Sequence, residues 1–140
     1  MLPDNLYLDH IAIAVSDLES RVKVYEDIGF KFAKQREVVE SQKVITAFAH
    51  VDSHAHLELL MPINNDGPIQ KFIEKNGEGI HHLCFRVDDV LLKGRELVKK
   101  GYKLIYETPQ IGANNCLVNF IHPKSTGGVL IEISQKKEAN

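Results

Sequence analysis

The chain has 140 residues, 44% hydrophobic and 26% charged, with a formal charge of −2. That is enough chain for one domain with a buried core, and the near-neutral balance offers no basic face to nucleic acid or to an anionic membrane. The apolar runs fall short of the roughly 20 residues that a spanning helix needs, and the chain opens without a charged-then-apolar leader.

In chain order, IAIAV (Ile11–Val15) predicts the first strand. Ser16 and Glu19 form an S-x-x-E capping box that starts a helix. Leu18, Val22 and Tyr25 recur on its apolar side, and Gly29 supplies a left-handed stop. Three strand-like runs follow: KFAKQREV, KVITAFAHV and AHLELLMPI, the last two separated by a turn at Asp52-Ser53. DGPIQKFIEKNGEG predicts a short connecting helix, with Pro68 in its first turn and Gly77 at its end. LCFRV (Leu83–Val87) predicts the next strand; Asp88 caps a helix with the stripe Val90, Leu97 and Val98, and Gly101 stops it. KLIYETP, NCLVNFIHP and GVLIEISQ are three further strand runs, and KKEAN is a charged tail expected to fray. Cys84 and Cys116 lack CxxC spacing and read as reduced thiols of a cytoplasmic protein.

These elements form a repeat. Asp9–Lys31 aligns without a gap on His81–Lys103 at an offset of 72 residues. The pairs His10/His82, Val15/Val87, Asp17/Asp89, Gly29/Gly101 and Lys31/Lys103 are identical. The expected architecture is α+β: a single domain over residues 8–137 made of two βαβββ modules, 8–63 and 79–136, joined by a helical connector at 67–77.

Strand parity then sorts the histidines, because neighbouring residues point to opposite faces. His10, Ala12 and Ala14 share one face, and His82, Cys84 and Arg86 share the related one. The opposite, bulkier faces must pack on helices. His81 therefore points away from His82 and is expected to be structural. In the last strand of each module, Glu58 lies between Leu57 and Leu59, and Glu132 between Ile131 and Ile133. The two glutamates are offset by 74 residues, close to the histidine offset.

A carboxylate on so apolar a strand is costly unless it is paired or bound to a metal. Two imidazoles and two carboxylates, two from each module, make a ligand set for Zn, Co, Ni, Mn or Fe(II). Taken singly, each histidine is better explained as a hydrogen-bonded core residue; the joint register favours metal. His54 and His56 are rival ligands but follow the Asp52-Ser53 turn and are expected to be exposed loop-end residues. His50 and His122 are expected to be surface or structural residues.

LDHIAIAVSDLE, DGPIQKFIEKNGEGIHHLCFRVDD and HPKSTGGVLIEIS together resemble the methylmalonyl-CoA epimerases. These belong to the vicinal oxygen chelate superfamily, which also holds glyoxalase I, bleomycin resistance proteins and dioxygenases. The similarity runs from about Leu8 to Gln135. It implies the vicinal oxygen chelate fold, with the two modules forming a curled sheet around a metal site. It also implies His10, Glu58, His82 and Glu132 as ligands of a divalent ion (Co, Zn, Ni or Mn), an acyl-CoA substrate and a homodimer.

The implied reaction interconverts (R)- and (S)-methylmalonyl-CoA through an enolate chelated by the metal. Glu132 is the first candidate base. Some relatives carry a glutamate base on the third strand, where this chain has Thr46. Gln42 matches a family glutamine and is a candidate for touching substrate, with a polar loop residue as the equal alternative. Lys124, Ser125 and Thr126, in the turn before Gly127-Gly128, are candidates for holding the substrate carboxylate or part of coenzyme A. The alternatives are a glyoxalase I-type lyase acting on a glutathione hemithioacetal, against which the HPKSTGGVLIE ending speaks, and a metal-free drug-binding module. An Fe(II) dioxygenase would use a His-His-Glu triad in a longer chain.

Overall fold

A computed structural model describes residues 5–136; most of the charged tail, 137–140, lies outside the described residues. The chain divides into two compact units. One comprises His10–His81; the other joins the segment ending at Asp9 to the chain from His82 onward.

The first unit is built from β1 (Tyr7–Ala14), α1 (Leu18–Ile28), β2 (Glu37–Val39), β3 (Val44–His50), β4 (His56–Pro62) and α2 (Pro68–Asn76). Its strands run in the order β2-β3-β4-β1. β1 lies parallel to β4, and β3 antiparallel to β4. Parity works as expected. Leu57, Leu59 and Ala47 turn to the helix side and cluster with Val15, Leu18 and Val22, with Ile13, Tyr25, Ile45 and Met61 packed around them. Leu59 is fully buried, worth about 1.5–3 kcal/mol against an exposed leucine.

The helix cap differs from expectation by one residue. Asp17, not Ser16, is the N-cap of α1, its carboxylate accepting from the Ser20 N–H at 3.2 Å. Glu19 leaves the capping box to pair with the Arg36 guanidinium at 2.9 Å. The Ser16 N–H instead donates to Glu78 at 2.9 Å. Gly29 ends the helix at φ 126°, with its N–H donating to Glu26 and Tyr25 carbonyls. KFAKQREV is not one strand: a bridge at Phe32 and the short β2 replace it.

β5 (Gly79–Arg86) leads into the second unit, followed by α3 (Val90–Lys99), β6 (Gln110–Ile111), β7 (Leu117–Ile121) and β8 (Ile131–Gln135). The strand order here is β5-β8-β7-β6, with β5 parallel to β8. Asp89, not Asp88, caps α3, accepting from the Leu92 N–H at 3.0 Å; Asp88 accepts from the Asn5 amide. The buried stripe of α3 holds Val90 and Gly94, with Leu97 beside them, while Val98 is 56% exposed.

KLIYETP is the other correction. It makes one bridge, Leu104 to Ile121, and no strand. The physical reason is Asn119, which is 2% exposed. Its side-chain amide accepts from the Tyr106 N–H at 3.1 Å and donates to the Tyr106 carbonyl at 3.0 Å. A side chain thus takes the two backbone groups that a strand partner would have taken. Both cysteines are buried thiols. Among the described residues no helix is long and apolar enough to cross a membrane.

Candidate metal and substrate site

Each unit carries one buried histidine–glutamate pair. In the first, His10 on β1 and Glu58 on β4 share a face because Ala12, two residues on from His10, is the register partner of Glu58. His10 Nε2 lies 3.1 Å from Glu58 Oε2, with the side chains 7% and 4% exposed. In the second, His82 Nε2 lies 3.1 Å from Glu132 Oε1, with side chains 2% and 5% exposed. Cys84, two residues from His82, is the register partner of Glu132. Both pairs arise from one rule: parallel neighbours in register point their side chains the same way.

The surroundings of the two pairs differ. The His82 ring meets Phe120 edge-on at 5.4 Å, and Phe120 meets Tyr106 at 5.9 Å. Burial pushes the Tyr106 phenol above its usual range, and the Glu132 charge adds to this. In the first unit, the His10 ring packs at 5.0 Å on His56, which packs at 4.9 Å on Phe48. His56 is thus a half-buried strand residue beside His10, not the exposed loop-end residue expected; His54 is exposed as expected. The signal was available, since His56 and Glu58 are two apart and must share a face. The turn before them is closed by Asp52, which accepts from the His54 and Ala55 N–H groups at 2.8 and 2.7 Å.

His81 packs edge-on against Phe72 of α2 at 4.9 Å, away from the histidine–glutamate face. His50 is exposed, and His122 caps a short turn, its Nδ1 accepting from the Lys124 N–H at 3.1 Å.

Thr46 is fully buried on the same face as Glu58, and its hydroxyl donates to the Glu37 carbonyl at 3.3 Å. Gln42 is half-buried at the end of the helical turn Glu40–Gln42. Lys124, Ser125 and Thr126 form the turn expected of them. The Ser125 Oγ accepts from the Lys103 N–H at 3.0 Å, and the Thr126 hydroxyl donates within its own loop, to the Pro123 and Val129 carbonyls. Lys124 is exposed.

Arg86, which parity places on the His82 face, has a partner that the sequence pattern does not indicate. Arg86 donates to Asp9 Oδ1 at 2.8 Å through one terminal nitrogen and at 3.3 Å through Nε, and another nitrogen lies 3.5 Å from Cys116 Sγ. Burial works against the guanidinium charge, but the Asp9 hydrogen bond and charge outweigh it and raise the Arg86 pKa.

The donor chemistry fits a divalent ion. Each pair offers an imidazole nitrogen and a carboxylate oxygen, nearly shielded from water and already drawn together.

The chain is similar to several known proteins. The mitochondrial methylmalonyl-CoA epimerase of Dictyostelium discoideum is 37% identical over 131 residues, 92% of this chain and 78% of that one. The crystal structure of methylmalonyl-CoA epimerase from Mycobacterium tuberculosis superposes with a TM-score of 0.90 at 37% identity, covering 99% of this chain and 94% of that one. The Streptomyces coelicolor epimerase in complex with 2-nitronate-propionyl-CoA gives a TM-score of 0.90 at 33% identity, covering 96% and 100%. Residues 9–120 match a family described as the Glyoxalase/Bleomycin resistance protein/Dioxygenase superfamily, and the chain belongs to it.

Proposed function

We propose that this protein is a methylmalonyl-CoA epimerase, with His10, Glu58, His82 and Glu132 together holding one divalent ion. The observation that carries the reading is the recurrence of a buried histidine–glutamate pair at 3.1 Å in each unit, at repeat-related positions. The relatives named as epimerases of this substrate supply its identity.

The acidic proton of the substrate sits on C2, between a thioester carbonyl and a carboxylate. A bound divalent ion supplies a Lewis acid for the negative charge that develops on the thioester oxygen. The chain's own residues do the rest. The Glu132 carboxylate, held against His82, takes the C2 proton. Thr46 cannot, because a hydroxyl is a poor base at neutral pH and this one already donates to Glu37. Inversion requires a second group or a water to return a proton on the other face. Gln42 orients the substrate through its amide. The Lys124 ammonium and the backbone of the Lys124–Thr126 turn hold an anionic part of it, while the Ser125 and Thr126 hydroxyls keep the turn in shape. The reading includes a homodimer and a cytoplasmic location, the latter in keeping with two buried thiols.

The test is proton exchange at C2 of methylmalonyl-CoA in D2O, run across Co, Zn, Ni and Mn. Deuterium enters C2 only with active enzyme and ion. No exchange with any ion, together with turnover of a methylglyoxal–glutathione hemithioacetal, would replace this reading with the glyoxalase one.

A further inference from the structure

We propose that His56 is a third metal donor within the first unit, so that His10, His56 and Glu58 form a two-imidazole, one-carboxylate set. This rests on the reading of His10 and Glu58 as ligands. His56 is the register partner of His10 on the parallel strand β4, and Glu58 follows two residues later on the same face. Ligand nitrogens of His10 and His56 lie within 4.8 Å of each other, and His10 Nε2 lies 3.1 Å from Glu58. The His56 Nε2 atom is shielded from solvent. The Phe48 ring packs on the His56 ring at 4.9 Å.

Packing alone does not call for histidine here. At the repeat-related place before Glu132 the second unit has Leu130, which packs with Cys116, Val118 and Phe120. A leucine therefore satisfies the related position, just before β8. Histidine in its place adds a nitrogen donor beside two others. A set of two histidines and one carboxylate is a recognised ligand type for Fe(II), and imidazole also suits Zn and Co. The consequence is that the first unit retains an ion by itself.

The experiment measures Zn(II) and Co(II) binding by the full chain using calorimetry and the visible spectrum of the cobalt form, with folding checked by circular dichroism. The variant His82→Ala/Glu132→Gln is expected to keep measurable binding, at lower affinity than the parent. Adding His56→Leu is expected to abolish it, and His56→Leu alone to alter the cobalt spectrum. His56→Phe, which keeps a ring against His10, is the second variant, and it should fail to restore binding. The idea is overturned if the double variant binds no ion, if His56→Leu changes neither affinity nor spectrum, or if His56→Phe binds as well as the parent. Loss of C2 exchange chemistry with His56-dependent binding intact would sink the epimerase reading and leave this one standing.

Discussion

The two units repeat the same element order and the same histidine–glutamate pair, yet almost everything around the pair has changed. In the first, long strands β3 and β4 and the helix α1 enclose a core of Val15, Leu18, Val22, Ala47, Leu57 and Leu59. In the second, the related core shrinks to Val87, Val90 and Ile133 with Leu97. A further apolar cluster of Cys116, Val118 and Phe120 lies on the other face, toward the His82 side. Phe48 and Phe120 are related by the repeat, but Phe120 packs directly on His82 while Phe48 reaches His10 through His56. Ala14 corresponds to Arg86, which brings a buried ion pair to the second unit. What persists is the chemistry and the helix punctuation; what varies is the packing that supports them.

The largest expected effect breaks the shared feature. His10→Ala, Glu58→Gln, His82→Ala and Glu132→Gln should each lower C2 exchange by about 10²–10³-fold or more, the scale of losing one group that stabilises the developing oxyanion. Equal losses in both units would mean that they contribute alike. A distinctly smaller loss for His10→Ala than for His82→Ala would match His56 substituting in the first unit.

Next is the feature present in the second unit alone. Asp9→Ala leaves the mostly buried Arg86 charge without its carboxylate, and should cost about 3 kcal/mol in urea unfolding. Asp9→Ala/Arg86→Ala should recover a large part of this, because the related position in the first unit is already alanine. An additive double variant would remove the pair from the account. By contrast, Glu19→Ala against the Arg36 pair, with its carboxylate 68% exposed, should cost at most about 1 kcal/mol.

The caps should behave alike in the two halves. Asp89→Ala is expected to cost about 1 kcal/mol, and Asp17→Ala to act in the same direction; Ser16→Ala and Asp88→Ala should do less, as read by thermal melts. A pH effect belongs to the first unit. The Arg21 hydrogen bond, then the Ser16 N–H, hold the Glu78 carboxyl below its ordinary value of 4.5. A depressed folded pKa adds stability that is complete above the ordinary value and is lost as pH falls through the lower folded value. Glu78→Gln should therefore flatten the acid limb of stability against pH and leave its slope at neutral pH unchanged.

The smallest expected effect sharpens a contrast between the helices. Gly94 in α3 stands where α1 has Val22. A Cβ there would sit 3.0 Å from Leu104 Cδ1, the end of a flexible side chain. Gly94→Ala gains up to about 1 kcal/mol of helix propensity and loses some of it to that contact, so the melting temperature should move by only a few degrees.

Much of this is legible in the sequence. The 72-residue offset relates His10 to His82, and strand parity separates His82 from His81, because alternation is a property of the strand itself. The same offset held the correct cap residue, since Asp17 and Asp89 are identical across it; the capping-box pattern at Ser16 competed and lost when Arg36 drew Glu19 away. His56 lies close to a turn in sequence, but its parity with Glu58 decides its place on the strand.

Local sequence determined the elements that depend on neighbours a few residues apart: the helices, their stops and the face each strand residue takes. Only the tertiary structure decided which partner each polar group found. Asn119 removed a strand by binding both backbone groups of Tyr106. Arg86 found Asp9, 77 residues away. His56 met His10 through the register of two parallel strands. Parity says where a side chain points, but its neighbour across the sheet is set by register, and the packing of the whole chain sets that register.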